Sequence, residues 1–149
     1  MKLRVYLDTS VFSALYDDRV TDRRGETEEF WGRRGQFEIA TSELAGEELE
    51  QTPDPARRAS LRHLLEGVTV HAISTEMRKL AACYVDAGTF TAVTYNDALH
   101  VAAAVLTQQD VLTSWNFKHL VNRRRRAQIN EGNISLGLPT IEIVAPPEI

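Results

Sequence analysis

The residues best suited to chemistry in this sequence are oxygen donors at four separated places. Asp8 ends the short run Lys2 to Leu7. The acids Glu43, Glu47 and Glu48 follow Phe37 to Ala40 and Ser42. Asp97 opens the apolar stretch Ala98 to Leu106, and Ser114 and Asn116 follow Asp110 to Thr113. Carboxylate and amide oxygens suit hard divalent cations such as Mg²⁺ and Mn²⁺, which usually keep several waters. Clustered carboxylates repel one another unless a cation neutralises them. A cation held this way lowers the pKa of a bound water and polarises a phosphoryl oxygen. In-line phosphodiester cleavage needs those two things and no protein nucleophile.

Each position also has a plainer use. Asp8 can cap a helix that begins near Val11. Asp97 can be the last residue of a capping box, Thr94-Tyr95-Asn96-Asp97, with Asp in place of Glu. The glutamates can be a solvated helix face, and Asn116 a turn residue. Other site types lack their residues. There is no G-x-G-x-x-G or G-x-x-x-x-G-K-[ST] phosphate cradle, and His63, His71, His100 and His119 lack H-E-x-x-H spacing. His100 lies in an apolar helical stretch and reads as a hydrogen-bonded core residue. A haloacid-dehalogenase-type phosphatase needs a second Asp where this chain has Ser10.

The elements that would hold these residues follow from pattern. Lys2 to Leu7, Phe37 to Ala40, Val68 to Ile73, Asp110 to Thr113 and Thr140 to Val144 read as strands. Helices are expected over 11–16, 26–34, 43–51, 55–66, 75–87 and 94–107, with a basic helical segment running to about Leu136. Residues 17–25 read as a loop. Asp54 and Pro55 suit N-cap and first-turn positions, Ser74 suits an N-cap, and Gly88 a stop. Strands alternating with helices predict an α/β fold with a central parallel sheet flanked by helices. In such sheets ligands sit beyond the carboxyl ends of the strands, where Asp8, the Glu43–Glu48 cluster, Ser114 and Asn116 fall.

With 149 residues, 43% of them hydrophobic, the chain suits one domain over 1–149, with 145–149 as a tail after Pro146-Pro147. No apolar run approaches the ~20 residues of a membrane span, and a charge interrupts the N-terminal run, so no membrane association and no secretion signal are expected. The single cysteine, Cys83, excludes an intramolecular disulfide and suits a cytoplasmic protein. Net charge is −4, yet Arg123, Arg124, Arg125 and Arg126 form a dense basic run preceded by Lys118 and His119. It is either a solvated helix face or an anion-binding rim beside Asn116.

Three segments, Leu7-Asp8-Thr9-Ser10-Val11, Asn96-Asp97-Ala98-Leu99-His100-Val101-Ala102-Ala103-Ala104 and Leu112-Thr113-Ser114-Trp115-Asn116-Phe117-Lys118-His119-Leu120, lie in an order and spacing that resembles the PIN-domain family. Within it they resemble the VapC-type toxins of bacterial toxin–antitoxin pairs and their close relatives. With Ser42 to Leu49 they cover most of the chain. The resemblance implies a PIN-like domain and a Mg²⁺- or Mn²⁺-dependent, single-strand-specific endoribonuclease, a toxin of a type II pair. It implies Asp8 and Asp97 as catalytic, metal-binding acids. Counting from Ser42 as the family does gives Glu48 as the second acid, with Glu47 the near alternative and Glu43 a further one. Asn116 takes the last site position, with Ser114 two residues earlier, and Thr9 helps position the metal water or a phosphate. Many members have Asp where Asn116 stands, so weaker metal binding is implied here. The family also implies a homodimer, a possible cognate antitoxin, and RNA phosphate contact by Lys118 and Arg123–Arg126. The alternative is a catalytically weak or inactive RNA-binding or interaction module on the same fold.

Overall fold

The computed structural model describes residues 1–149 and gives one five-stranded, wholly parallel sheet. Its strands are β1 (Leu3–Leu7), β2 (Phe37–Ser42), β3 (Thr69–His71), β4 (Val111–Thr113) and β5 (Glu142–Val144), in the order β3-β2-β1-β4-β5. Seven helices connect them: α1 (Thr9–Ser13), α2 (Thr21–Gly32), α3 (Glu43–Glu50), α4 (Pro55–Glu66), α5 (Thr75–Asp86), α6 (Tyr95–Leu106) and α7 (Arg123–Ser135). β1 is central. The chain leaves it toward β2 and β3, then crosses back to β4 and β5. The carboxyl ends of β1 and β4 therefore flank the point where the winding reverses, the place where open α/β sheets bind ligands. Register pairs Tyr6 with Ala40 and Leu7 with Thr113.

Local sequence explains most boundaries. Asp54 accepts the Ala56 amide (3.0 Å) with Pro55 in the first turn of α4. Ser74 accepts the Met77 amide (3.2 Å) to start α5. Gly88, at φ +81, stops the chain after α5, a left-handed conformation that glycine adopts without steric cost. In α6 every residue from Ala98 to Val105 is buried. Its three consecutive alanines, Ala102 to Ala104, let the helix lie close to β2 and β4. No helix is long and apolar enough to cross a membrane.

Three expectations are corrected. Residues 21–25 are helix, not loop: α2 starts at Thr21 and runs through Gly25. A mid-helix glycine costs about 1 kcal/mol. Here long-range contacts outweigh it. Trp31 Nε1 donates to the Val11 carbonyl (3.1 Å), Thr27 Oγ1 accepts from Trp115 Nε1 (2.9 Å), and Phe30 is fully buried. The capping box at Thr94 does not form. Thr94 Oγ1 accepts the Thr91 amide (2.8 Å) in the preceding turn, and the Thr94 side chain makes no cap bond to α6. The segment 145–149 is not a free tail. Ala145 and Pro146 are buried, Glu148 accepts the Ala145 amide (2.9 Å), and Arg33 donates to the Ile149 carbonyl (2.9 Å), which docks it on α2.

Candidate active site

Asp8 sits immediately beyond β1 and does both jobs foreseen for it. Its Oδ1 caps α1 by accepting the Ser10 amide (3.0 Å) and the Ser10 hydroxyl (2.5 Å). Its Oδ2 accepts the Ser114 hydroxyl from the end of β4 (2.6 Å). The two strand ends at the reversal point are thus joined through one carboxylate. Burial pushes the Asp8 carboxyl above its ordinary value, while the His100 charge and the bonds from Ser10 and Ser114 oppose that shift.

The sequence left the second acid open, and helix phase separates the candidates. Leu44, Ala45 and Leu49 are buried, so the inward face of α3 also carries Glu48. Glu48 Oε1 meets Thr9 Oγ1 at 2.7 Å and His100 Nε2 at 2.6 Å. Burial acts to raise the Glu48 carboxyl, but the bonds from His100 and Thr9 and the His100 charge outweigh it and hold it below its ordinary value. Glu47 is exposed, and Glu43 is turned toward the amide of Ile73 (2.7 Å).

Asp97, in the first turn of α6, is half-buried and accepts no hydrogen bond from the protein. Burial raises its carboxyl, the nearby charges of Asp8 and Glu48 raise it further, and His100 and His119 oppose them. Asp97 therefore feels the charges of Asp8 and Glu48 although the three come from different elements.

Asn116 is committed to its own turn through both its backbone amide and its side chain. Its amide donates to Ser114 Oγ (2.9 Å), and its Oδ1 accepts the His119 amide (2.9 Å), capping the turn that follows β4. No three His, Cys, Asp or Glu side chains converge as a ready-made metal cage. Asp8 is buried, Glu48 and Asp97 are partly exposed, and none of the three lines a surface cavity.

The basic run divides. Arg125 donates to the Thr89 carbonyl and lies over the Phe90 ring (5.6 Å), and Arg126 donates to the Ile143 carbonyl (3.1 Å). Both tie α7 to the body of the fold. Arg123, Arg124 and Lys118 are exposed. Beside them Phe117 is about half exposed, with the Arg23 guanidinium 5.0 Å from the centroid of Trp115 and 5.7 Å from that of Phe117. Sequence reasoning did not place Tyr6 in this neighbourhood; its hydroxyl lies 2.7 Å from that of Ser42, the strand-end residue from which the second acid was counted. Tyr6 Oη is also 2.8 Å from His100 Nδ1. His100, expected as a hydrogen-bonded core residue, is that and also touches Glu48. The spacing of Asp97 and His100, three residues apart on one helix face, is the signal that could have connected them.

A carboxylate set at the reversal point of a β3-β2-β1-β4-β5 parallel sheet places the chain in a defined class. It matches the PIN domain family over residues 5–115 and belongs to that family. Solved structures agree on the fold. A toxin–antitoxin complex from Klebsiella pneumoniae superposes with a TM-score of 0.61 at 16% identity, covering 81% of this chain and 93% of that one. VapC20 of Mycobacterium tuberculosis, a sarcin–ricin loop cleaving toxin, gives 0.60 at 17% identity over 72% of this chain and 86% of its own. DNA-bound VapBC from Salmonella typhimurium gives 0.58 at 17% identity, over 97% of this chain and 98% of that one. No curated protein matches the chain.

Proposed function

We propose that this protein is a Mg²⁺- or Mn²⁺-dependent endoribonuclease of the VapC toxin type, with Asp8, Glu48 and Asp97 as the acids of its site. The carrying observation is Asp97: a half-buried carboxyl, raised first by burial and then by the charges of Asp8 and Glu48, that accepts no hydrogen bond from the protein. A fold that needed this residue only as a cap would have given it one. Glu48 likewise has one unpartnered oxygen, Oε2. The unpartnered oxygens of Glu48 and Asp97, both partly exposed, fit a hard cation that keeps most of its waters and takes only one or two carboxylates directly, so a preassembled cage is not required. Asp8, Glu48 and Asp97 would hold the ion, and bound there it would supply a water of lowered pKa and polarise a phosphoryl oxygen.

The rest of the chemistry belongs to the chain. Ser10 and Ser114 hold the Asp8 carboxylate rigid. Thr9 orients Glu48. Asp8 would share its oxygens with Ser10 and Ser114 but brings a negative charge, whereas Asn116 would share its one oxygen with His119 and brings none, so we assign Asn116 a supporting role, fixing the loop that carries Ser114. Lys118, Arg123 and Arg124 supply free cations for RNA phosphates. We place the enzyme in the cytoplasm, as a homodimer restrained by an antitoxin, in line with the toxin–antitoxin complexes among its structural relatives.

The test sets wild type against Asp8→Asn on an RNA pool with single-stranded loops, in Mg²⁺, Mn²⁺ and EDTA. Cleavage by wild type only, lost in EDTA, is expected. Equal cleavage by both proteins refutes the mechanism. The commitment of Asn116 to its turn favours a second reading, an RNA-binding module without catalysis. RNA binding without cleavage in either metal would establish that instead.

A further inference from the structure

Behind Glu48 a line of buried polar groups runs through the protein. Ser42 and Tyr6 are 0% exposed and His100 is 2% exposed. Ser42 Oγ lies 2.7 Å from Tyr6 Oη, Tyr6 Oη lies 2.8 Å from His100 Nδ1, and His100 Nε2 lies 2.6 Å from Glu48 Oε1. Buried polar groups are costly unless every member is partnered, and an apolar pair would fill this space without that cost. Only the last member, Glu48, is partly exposed.

The direction of the bonds follows from their ends. Thr9 Oγ1 donates to Glu48 Oε1, and an ionised carboxylate can only accept. His100 Nε2 must donate to it as well. A proton therefore sits on Nε2, and Nδ1 is turned to Tyr6. Burial raises the Tyr6 phenol far above its ordinary value, which keeps its hydroxyl protonated and able to anchor the ring. Both donors fall on the same oxygen, Oε1, and leave Oε2 unpartnered. The line also reaches α6, where Asp97 stands one turn before His100, so one helix face aligns one acid and the residue that holds another.

We propose that Tyr6 and His100 are positioning residues, their hydrogen-bonded line fixing His100 Nε2–H on Glu48 Oε1 so that Oε2 faces the site for a divalent cation. The inference rests on the reading of Glu48 as a cation-facing acid. Groups that orient a ligating residue in this way typically change metal affinity 10–100-fold when removed.

The experiment is a Mn²⁺ titration by calorimetry on the metal-free, full-length protein, with circular dichroism to establish folding. Glu48→Gln and His100→Leu are each expected to weaken Mn²⁺ binding about tenfold or more, and Tyr6→Phe about threefold. His100→Gln, whose amide nitrogen can restore the donor toward Glu48, should recover to within about threefold of wild type. A purely structural histidine would show no such recovery. In the metal-free wild type, ¹⁵N-histidine NMR should find the His100 proton on Nε2. Weakened binding in Glu48→Gln alone, with His100→Leu and Tyr6→Phe at wild-type affinity, overturns the positioning role and leaves the site intact. A His100 proton found only on Nδ1 overturns it too. Unchanged binding in Glu48→Gln removes Glu48 from the site and the positioning role with it. If His100→Leu does not fold, Tyr6→Phe, which deletes one oxygen, and the NMR spectrum decide.

Discussion

Replacing Ser114 with alanine tests the joint between the two strand ends. Ser114 is fully buried, and its hydroxyl works in two directions, donating to Asp8 Oδ2 at 2.6 Å and accepting the Asn116 amide at 2.9 Å. Alanine keeps the backbone and nearly the volume, so the hydroxyl is the whole change. Losing a hydrogen bond to a carboxylate costs about 1.5–3 kcal/mol, and a stranded buried amide adds about 1 kcal/mol. Asp8 keeps its bonds from Ser10, which places the sum at about 2–4 kcal/mol. In a chain of this length each kcal/mol moves Tm by about 2–4 °C, so a fall of about 5–15 °C is expected. Calorimetry of the metal-free protein at neutral pH reads it. Ser13→Ala is the control, because that exposed hydroxyl bonds only within its own short helix and turn, at 3.3 and 3.4 Å. In an Asp8→Asn background the Ser114 substitution should cost less by about 1 kcal/mol or more, since the charged acceptor is gone. A Tm within about 2 °C of wild type, or strict additivity with Asp8→Asn, would show that the joint contributes no stability.

Asp8→Asn itself should stabilise the metal-free protein at neutral pH. Burial raises the folded-state pKa of this carboxyl, so its contribution is present below the unfolded value and is lost as pH rises through the folded one. Urea titrations should show the variant's advantage growing with pH, and a variant less stable at every pH would contradict the sign. Exchanging Lys118, Arg123 and Arg124 for Gln should flatten the salt dependence of RNA binding, each lost phosphate contact lowering the slope by roughly one. Exchanging Arg125 and Arg126 for Gln should instead lower Tm, because both donate to backbone carbonyls. Equal effects of the two sets on the salt slope would remove the distinction.

Where the chain's local chemistry was self-sufficient, the sequence predicted the structure closely. Asp54-Pro55 and Ser74 cap the helices they were expected to cap, Gly88 stops α5, and the apolar stretch after Asp97 is the buried helix. The start of α2 was not legible because its cause lies far away in the chain. Thr27 and Trp31 are fixed by Trp115 and by the carbonyl of Val11, contacts no window of sequence contains. Thr94 misled for the opposite reason. A nearer competitor, the Thr91 amide, takes the hydroxyl that would have capped α6. The docking of residues 145–149 depends on Arg33, more than a hundred residues earlier, and leaves no trace in the proline pair itself.

The site divides along the same line. That Asp8, Asp97 and Ser114 come together follows from their places after strands and before a helix, once the sheet is parallel. That Glu48 faces inward and Glu47 outward was also present in the sequence, in the inward stripe Leu44, Ala45 and Leu49, though it needed the helix start fixed to one residue. The fates of Arg123 to Arg126 were not, since four identical side chains differ only in helix phase. Nor were Tyr6 and His100, because a buried tyrosine and a histidine in an apolar helix have core uses that sequence alone cannot distinguish from a line of donors. What separates the three acids is how much the protein gives them. Asp8 has three donors, Glu48 two on one oxygen, and Asp97 none. A carboxylate in the first turn of a helix gains from the helix dipole, about 0.3–1 kcal/mol, which helps the fold tolerate Asp97 without a donor. It does not offset the charges of Asp8 and Glu48, which raise the Asp97 carboxyl further, an arrangement that costs stability and fits the cation-binding role proposed for these acids.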